Sequence, residues 1–166
     1  MRFNVSLQGV TQLPSLPLEY DEELDDVGSI LHDLCAALEQ TQSAVFSVSG
    51  FGQEEWPVDV GFDFCTFLEQ LPKALACARA GEAFEIALYE QGMQRSIRFE
   101  STGSDYVARC TSATAWQPVP ETERLNRFEL VGMLSRAFSE VITFVSRIPS
   151  LAAHPWVREW EKEGRR

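Results

Sequence analysis

The stretch from Glu82 to Trp116 most constrains what this chain can fold into, because it reads as three consecutive β-strands. Phe84, Ile86 and Leu88 put apolar side chains on alternate positions, and Gln91-Gly92 supplies a turn into Arg95, Ile97 and Phe99. A second turn at residues 101–104 leads to Tyr106, Ala108 and Cys110, which alternate with Val107, Arg109 and Thr111. A meander of this kind has one apolar face that must be covered, and the flanking segments offer helices to cover it.

Before the meander, Phe3, Val5 and Leu7 alternate with Asn4, Ser6 and Gln8, which predicts a half-buried strand over residues 2–8. From Asp21 to about Gln40 the apolar residues Leu24, Val27, Leu31, Leu34 and Leu38 recur three and four apart, the period of an amphipathic helix. Val45, Phe46 and Val48 predict a second strand over residues 43–49, and residues 58–62 read as a further short one. Asp63 is placed as the N-cap of a helix carrying Phe64, Phe67, Leu68, Leu71, Leu75 and Ala78 on one face. Gly81 closes that helix, and Pro72 is expected to kink or split it. Beyond Pro118 and Pro120, the residues Leu125, Phe128, Val131, Leu134, Phe138, Val141 and Val145 predict a long helix packed across the sheet and ended by Pro149. Residues 155–164 complete the chain as a short helix with Trp156 and Trp160 on one face. The expectation is a single α+β domain over 1–166, its sheet mainly antiparallel and including the meander of about 82–116, its helices largely on one face.

Apolar residues at 45%, among 166 residues, suffice for a core without disulfides or metal. No apolar run is long enough to span a membrane, and the N-terminus lacks the pattern of a signal peptide, so a cytoplasmic location is expected. Cys35, Cys65, Cys77 and Cys110 lie scattered among apolar residues, as buried reduced thiols do. The net charge of −11 is lopsided: residues 1–75 hold 13 acids against Arg2 and Lys73, while the remaining 12 acids and 12 bases cancel. Such a field repels nucleic acid and anionic membrane and attracts basic proteins.

The sequence offers little for catalysis. Neither phosphate-loop pattern is present, and Gly50-Phe51-Gly52 runs into Gln53, Glu54 and Glu55, whose carboxylates would repel a pyrophosphate. Ser49-Gly50 lacks the frame of a nucleophile elbow, and the only histidines are His32 and His154. His32 and Cys35 lie three apart on a helix, but two ligands do not make a zinc site. No catalytic, cofactor-binding or metal-binding residue is therefore expected. Binding is what remains. Glu19, Asp21, Glu22, Glu23, Asp25 and Asp26 place six acids in eight residues. A helix N-terminus favours two or three of them through its dipole, and the excess points to a basic protein partner. Phe51 and Trp56, flanking Glu54 and Glu55, read as a second contact patch of aromatic anchors beside carboxylates.

The run Val45-Phe46-Ser47-Val48-Ser49-Gly50-Phe51-Gly52, followed by Trp56-Pro57-Val58, Phe67-Leu68-Glu69-Gln70-Leu71-Pro72, Tyr89-Glu90-Gln91-Gly92 and Trp116, resembles small bacterial immunity proteins of polymorphic toxin systems. The resemblance spans roughly residues 43–120. It implies stoichiometric binding and inhibition of a cognate toxin domain, with no catalytic residues and no cofactor. Two other functions stay open: a secretion chaperone or adaptor, for which Trp156 and Trp160 would supply an exposed client or dimer surface, and a small enzyme. Either a monomer or a homodimer fits.

Overall fold

A computed structural model describes residues 2–9, 16, 19–42 and 44–166. The architecture is α+β with antiparallel sheets, as expected. Strands β1 (Asn4–Gln8) and β2 (Val45–Ser49) pair with each other, and β3 (Phe84–Leu88), β4 (Arg95–Ser101), β5 (Asp105–Ser112) and β6 (Thr122–Asn126) form a four-stranded meander. Helices α1 (Val27–Thr41), α2 (Asp63–Ala80), α3 (Arg127–Val145), α4 (Pro149–Ala153) and α5 (Pro155–Arg165) complete it. Phe84, Ile86, Ile97, Phe99, Tyr106, Ala108 and Leu125 face inward from the meander into one contiguous apolar core. Glu85, Arg98, Arg109 and Arg124 face outward and are exposed. The meander therefore keeps one wet face, as its alternation requires.

Several boundaries differ from expectation, each for a physical reason. Helix α1 begins at Val27, because the Asp26 carboxylate accepts from Gly28 N at 2.7 Å and Ser29 N at 3.4 Å, with Ser29 reaching back to close a capping box. The acidic residues 19–25 thus precede the helix, and Leu24, expected on its buried face, is 85% exposed. Residues 58–62 form a turn and no strand. Asp63 is the first helical residue and is buried; it is Asp59 whose carboxylate accepts from Phe62 N at 2.6 Å and Asp63 N at 3.2 Å. Residues 122–126 form a fourth meander strand, so Leu125 belongs to β6, and Phe128 in the first turn of α3 is 86% exposed. Helix α3 packs on α2 and along β1, where Met133 Sδ receives Val5 N–H at 3.1 Å, and meets the meander mainly at β6 without crossing it as expected.

Pro72 neither splits nor ends α2, which runs unbroken to Gly81 in the left-handed region (φ 75°). A proline inside a helix leaves the carbonyl four residues earlier without its N–H donor, here the carbonyl of Leu68. Trp160 of α5 supplies the missing donor, its indole N–H reaching Leu68 O at 3.1 Å in a buried setting. The defect in α2 is thus the socket for α5. On its next turn α2 guards the sheet edge: the Gln70 amide accepts from Ala87 N and donates to Ala87 O, both at 2.9 Å. Edge strand β3 is blocked at its centre by this side-chain pairing.

Candidate functional site

Residues 19–26 form an exposed acidic segment held in a defined place. Tyr20 anchors it: the phenol donates to Asp33 Oδ2 at 3.0 Å, and its ring lies 6.1 Å from His154 and 6.3 Å from Trp156. Burial, with Asp33 and Asp25 adding to it, pushes the Tyr20 phenol up to about 12, so it stays a donor throughout the neutral range. Asp21 and Asp25 fold the segment onto itself, Asp21 Oδ1 accepting from Glu23 N at 2.8 Å and Asp25 Oδ2 from Asp21 N at 2.9 Å. Asp26 caps α1. Glu19, Glu22 and Glu23 are exposed and have no such local role among the described residues. Local structure thus accounts for three of the six acids, close to the number the helix dipole and turn chemistry favour.

The acidic surface continues onto the two neighbouring helices. A Cβ on Gly28 would lie 2.9 Å from Asp26 Oδ1 and 3.5 Å from Glu69 Oε1, so carboxylates of the α1 cap and of α2 meet there. Glu69 Oε2 in turn lies 3.5 Å from the Tyr89 hydroxyl beyond β3. Glu39 reaches the α2 entrance beside Gly61. A hollow of about 460 Å³ opens between Glu19, Tyr20, Asp25, Ser29, His32 and Asp33. Across the described residues, every ion pair joining a lysine or arginine to a carboxylate takes its acid from residue 100 or later: Arg2–Glu129, Arg98–Glu100, Arg109–Glu121, Arg124–Asp105, Lys162–Glu159 and Arg165–Glu161. The acids of the first 75 residues have only His32–Asp33, at 3.7 Å. The second half of the chain thus holds all the carboxylates paired with lysine or arginine, and the first-half acids, buried Asp63 aside, face solvent without such a partner among the described residues.

The second expected contact patch does not exist as a surface. Phe51 is 0% and Trp56 1% exposed, so neither is an anchor for a partner. Gly50 and Gln53 exchange backbone hydrogen bonds at 2.9 and 3.1 Å, and this tight turn drives Phe51 inward onto Phe3 and Trp56. Trp56 is fastened by its indole N–H to Gly50 O at 3.2 Å. Gly52 is required at φ 85°, where a Cβ would stand 1.8 Å from the Val119 carbonyl oxygen. Glu54 and Glu55 alone remain exposed, extending the acidic surface without aromatic company.

Two buried charged residues were not singled out from sequence. Arg95 is 5% exposed and lies over two tryptophan rings, its guanidinium carbon 3.6 Å from the Trp116 ring centre and 4.5 Å from that of Trp56. Its Nη1 donates to Gln53 Oε1 at 2.8 Å, while its Nε and the Oδ1 of buried Asp63 lack hydrogen-bond partners. Burial raises Asp63 to about 6, with Asp59 and Glu90 adding to the rise, while its hydrogen bond with the Asp59 backbone and the charge of Arg95 oppose it. The signal for Arg95 was its alternation with Ile97 and Phe99, which puts it on the inward face. Glu123 of β6 is the other: its carboxylate accepts from Phe51 N at 2.5 Å and from Phe3 N, tying the turn and β1 to the meander. Both are scaffold chemistry that sets the loop positions.

His32 is exposed while Cys35 is fully buried, so they share no site. Among the described residues no group of three His, Cys, Asp or Glu is arranged to hold a metal ion, and no helix is long and apolar enough to cross a membrane. Trp160 is buried and Trp156 half-buried against Tyr20 and His154, so together they offer no open apolar surface. No family model, curated protein or solved structure matches the chain.

Proposed function

We propose that this chain is a binding protein that holds a basic protein partner against the acidic surface formed by residues 19–26 and the adjoining carboxylates of α1 and α2, in the manner of an immunity protein capping a toxin domain. The observation that carries the proposal is the segregation of ion pairs: among the described residues six arginines and lysines pair with acids, all of those acids at residue 100 or later, and none pairs with the acids of residues 19–69. Unpaired carboxylates at this density repel one another, and a partner rich in arginine or lysine relieves that repulsion on binding. Tyr20 and the turn hydrogen bonds hold the segment in place beforehand, which lowers the ordering cost of association. A toxin domain acting on nucleic acid has a cationic cleft of the required sign, and that class of partner follows from the resemblance together with the charge.

The test uses the tagged full chain on lysate of its own source cells at low and high salt, beside a triple variant Glu19→Gln, Glu22→Gln, Glu23→Gln. These three side chains make no hydrogen bond that shapes the segment, so the variant should fold as the wild type does. The expected result is one basic protein held stoichiometrically by the wild type, released progressively as salt rises, and held at least tenfold more weakly by the variant. Retention indifferent to both salt and the variant would overturn the charge-led reading.

A further inference from the structure

The two large apolar side chains most open to solvent among the described residues are Phe128, 86% exposed, and Leu24, 85% exposed. A scattered apolar residue on a surface is ordinary, but these two stand in settings of opposite charge. Leu24 lies in the acidic segment, flanked by Glu22, Glu23 and Asp25. Phe128 lies at the start of α3, on a hollow of about 470 Å³ lined also by Arg79, Ser104, Asn126, Arg127 and Val131, with no carboxylate among them. Neutral carbonyls hold both arginines there: Arg127 donates from Nε to Ala78 O at 3.2 Å and from Nη2 to Arg79 O, and Arg79 Nη1 donates to Gly164 O at 2.8 Å. Neither arginine pairs with an acid, and Arg127 Nη1 and Arg79 Nε and Nη2 have no acceptor among the described residues. The carboxylate next to Phe128, that of Glu129, is taken by Arg2 at 3.5 Å. The Asn126 side chain already caps Phe128 N and Glu129 N, so the hollow presents guanidinium and apolar surface and no bare helix N–H groups at these positions.

We propose that this hollow is a docking site for the acidic segment of a second copy of the chain, with Leu24 of one copy seated against Phe128 and Val131 of the other. Beside it, the carboxylates of Glu22 and Glu23 face the guanidiniums of Arg79 and Arg127. The two surfaces match in both respects: each offers one largely exposed apolar side chain, and the unpaired charges beside it are of opposite sign. The hollow lies wholly within residues 76–166, whose acids and bases cancel, so the acidic half of one copy meets the neutral half of the other. Arginine donors already fixed in place suit a planar carboxylate and lower the ordering cost of the contact. Tyr20 and the turn hydrogen bonds do the same for the segment. The contact is heterologous, a segment of one copy entering a different surface of the next. It requires no second protein and stands independently of the capping of a basic partner, with which it competes for the same segment.

Purified full-length chain is followed by sedimentation velocity and light scattering over a wide range of concentration. The expected weight-average mass climbs from that of one chain, 18.7 kDa, toward that of two or more. Leu24→Ser and Phe128→Ser each replace a side chain that lies outside the core, so both variants should fold, and each should weaken association by about tenfold or more. An equimolar mixture of the two keeps one intact segment and one intact hollow, and should form a species of two chains and nothing larger. Glu22→Gln combined with Glu23→Gln tests the charge. The net charge of −11 makes two copies repel at a distance, so removing two acids strengthens any contact that does not use them, and should here weaken association by about tenfold. A wild type that stays a single chain at every concentration would overturn the proposal and leave the hollow to another acidic partner. Undiminished association of either serine variant, no complex in their mixture, or tighter association of the glutamine variant would overturn it equally.

Discussion

Trp160 completes the hydrogen bonding of a helix that it does not belong to, and a double-mutant cycle with Pro72 tests this directly. Replacing Trp160 by Phe removes the indole donor that reaches Leu68 O in place of the missing Pro72 N–H. Leaving a buried carbonyl unsatisfied costs about 1–3 kcal/mol, and shrinking the indole to a phenyl adds about 1–2 kcal/mol of lost packing against Phe138, whose ring centre is 5.2 Å away. The single variant should therefore lose about 2–5 kcal/mol. Pro72→Ala restores a backbone N–H at position 72 within reach of Leu68 O, so in that background Trp160→Phe should lose only the packing part. A coupling of about 1–3 kcal/mol is expected from urea unfolding of the four proteins, read from midpoints at constant m-value. A coupling within about 0.5 kcal/mol of zero would refute the argument, because Trp160 would then be acting as an apolar plug and its N–H would be incidental.

Glu123→Gln should cost about 2–3 kcal/mol, because an amide can accept from only one of Phe3 N and Phe51 N and turns a donor toward the other. Glu121→Gln, which loosens only an exposed pair with Arg109, should stay within about 0.5 kcal/mol in the same unfolding assay, and equal costs would overturn the role given to Glu123. Asp63 has its folded pKa raised from 3.8 to about 6, so its contribution to stability is fully present below pH 3.8 and is lost as pH rises through about 6. Asp63→Asn removes that titration. Its stability relative to wild type should rise by about 2 kcal/mol between pH 4 and pH 7, measured by urea unfolding across that range, and a pH-independent difference would contradict the assignment.

The parts of the fold legible in the chain were those in which one element's own periodicity decides its burial. Phe84, Ile86 and Leu88 alternate and are buried; Leu31, Leu34 and Leu38 repeat at helical spacing and are buried. Strand β6 was invisible because its inward positions are Glu123 and Leu125, and a buried carboxylate that serves as a hydrogen-bond acceptor reads as a surface residue in any hydropathy pattern. The late start of α1 was written at Asp26 and Ser29, a capping pair overshadowed by the acids before it. The acidic segment itself was legible as a charge density, and the structure adds that its acids lack cationic partners. Phe51 and Trp56 show the converse failure. Aromatic residues beside carboxylates look alike in a sequence whether they face a partner or the core, and here the Gly50–Gln53 turn decides the matter.

Local composition and spacing were enough to specify the class of fold, most of the helices and strands, and an excess of negative charge confined to the first half. Those quantities depend on neighbours along the chain, and short-range periodicity carries them. Two facts needed contacts between residues far apart in sequence: that Pro72 is tolerated because Trp160 lends Leu68 O a donor, and that Arg95 lies over the rings of both Trp56 and Trp116. No residue along the chain announces its distant partner, because hydrogen bonds and cation–ring contacts are set by distances of a few ångströms that only the packed chain defines.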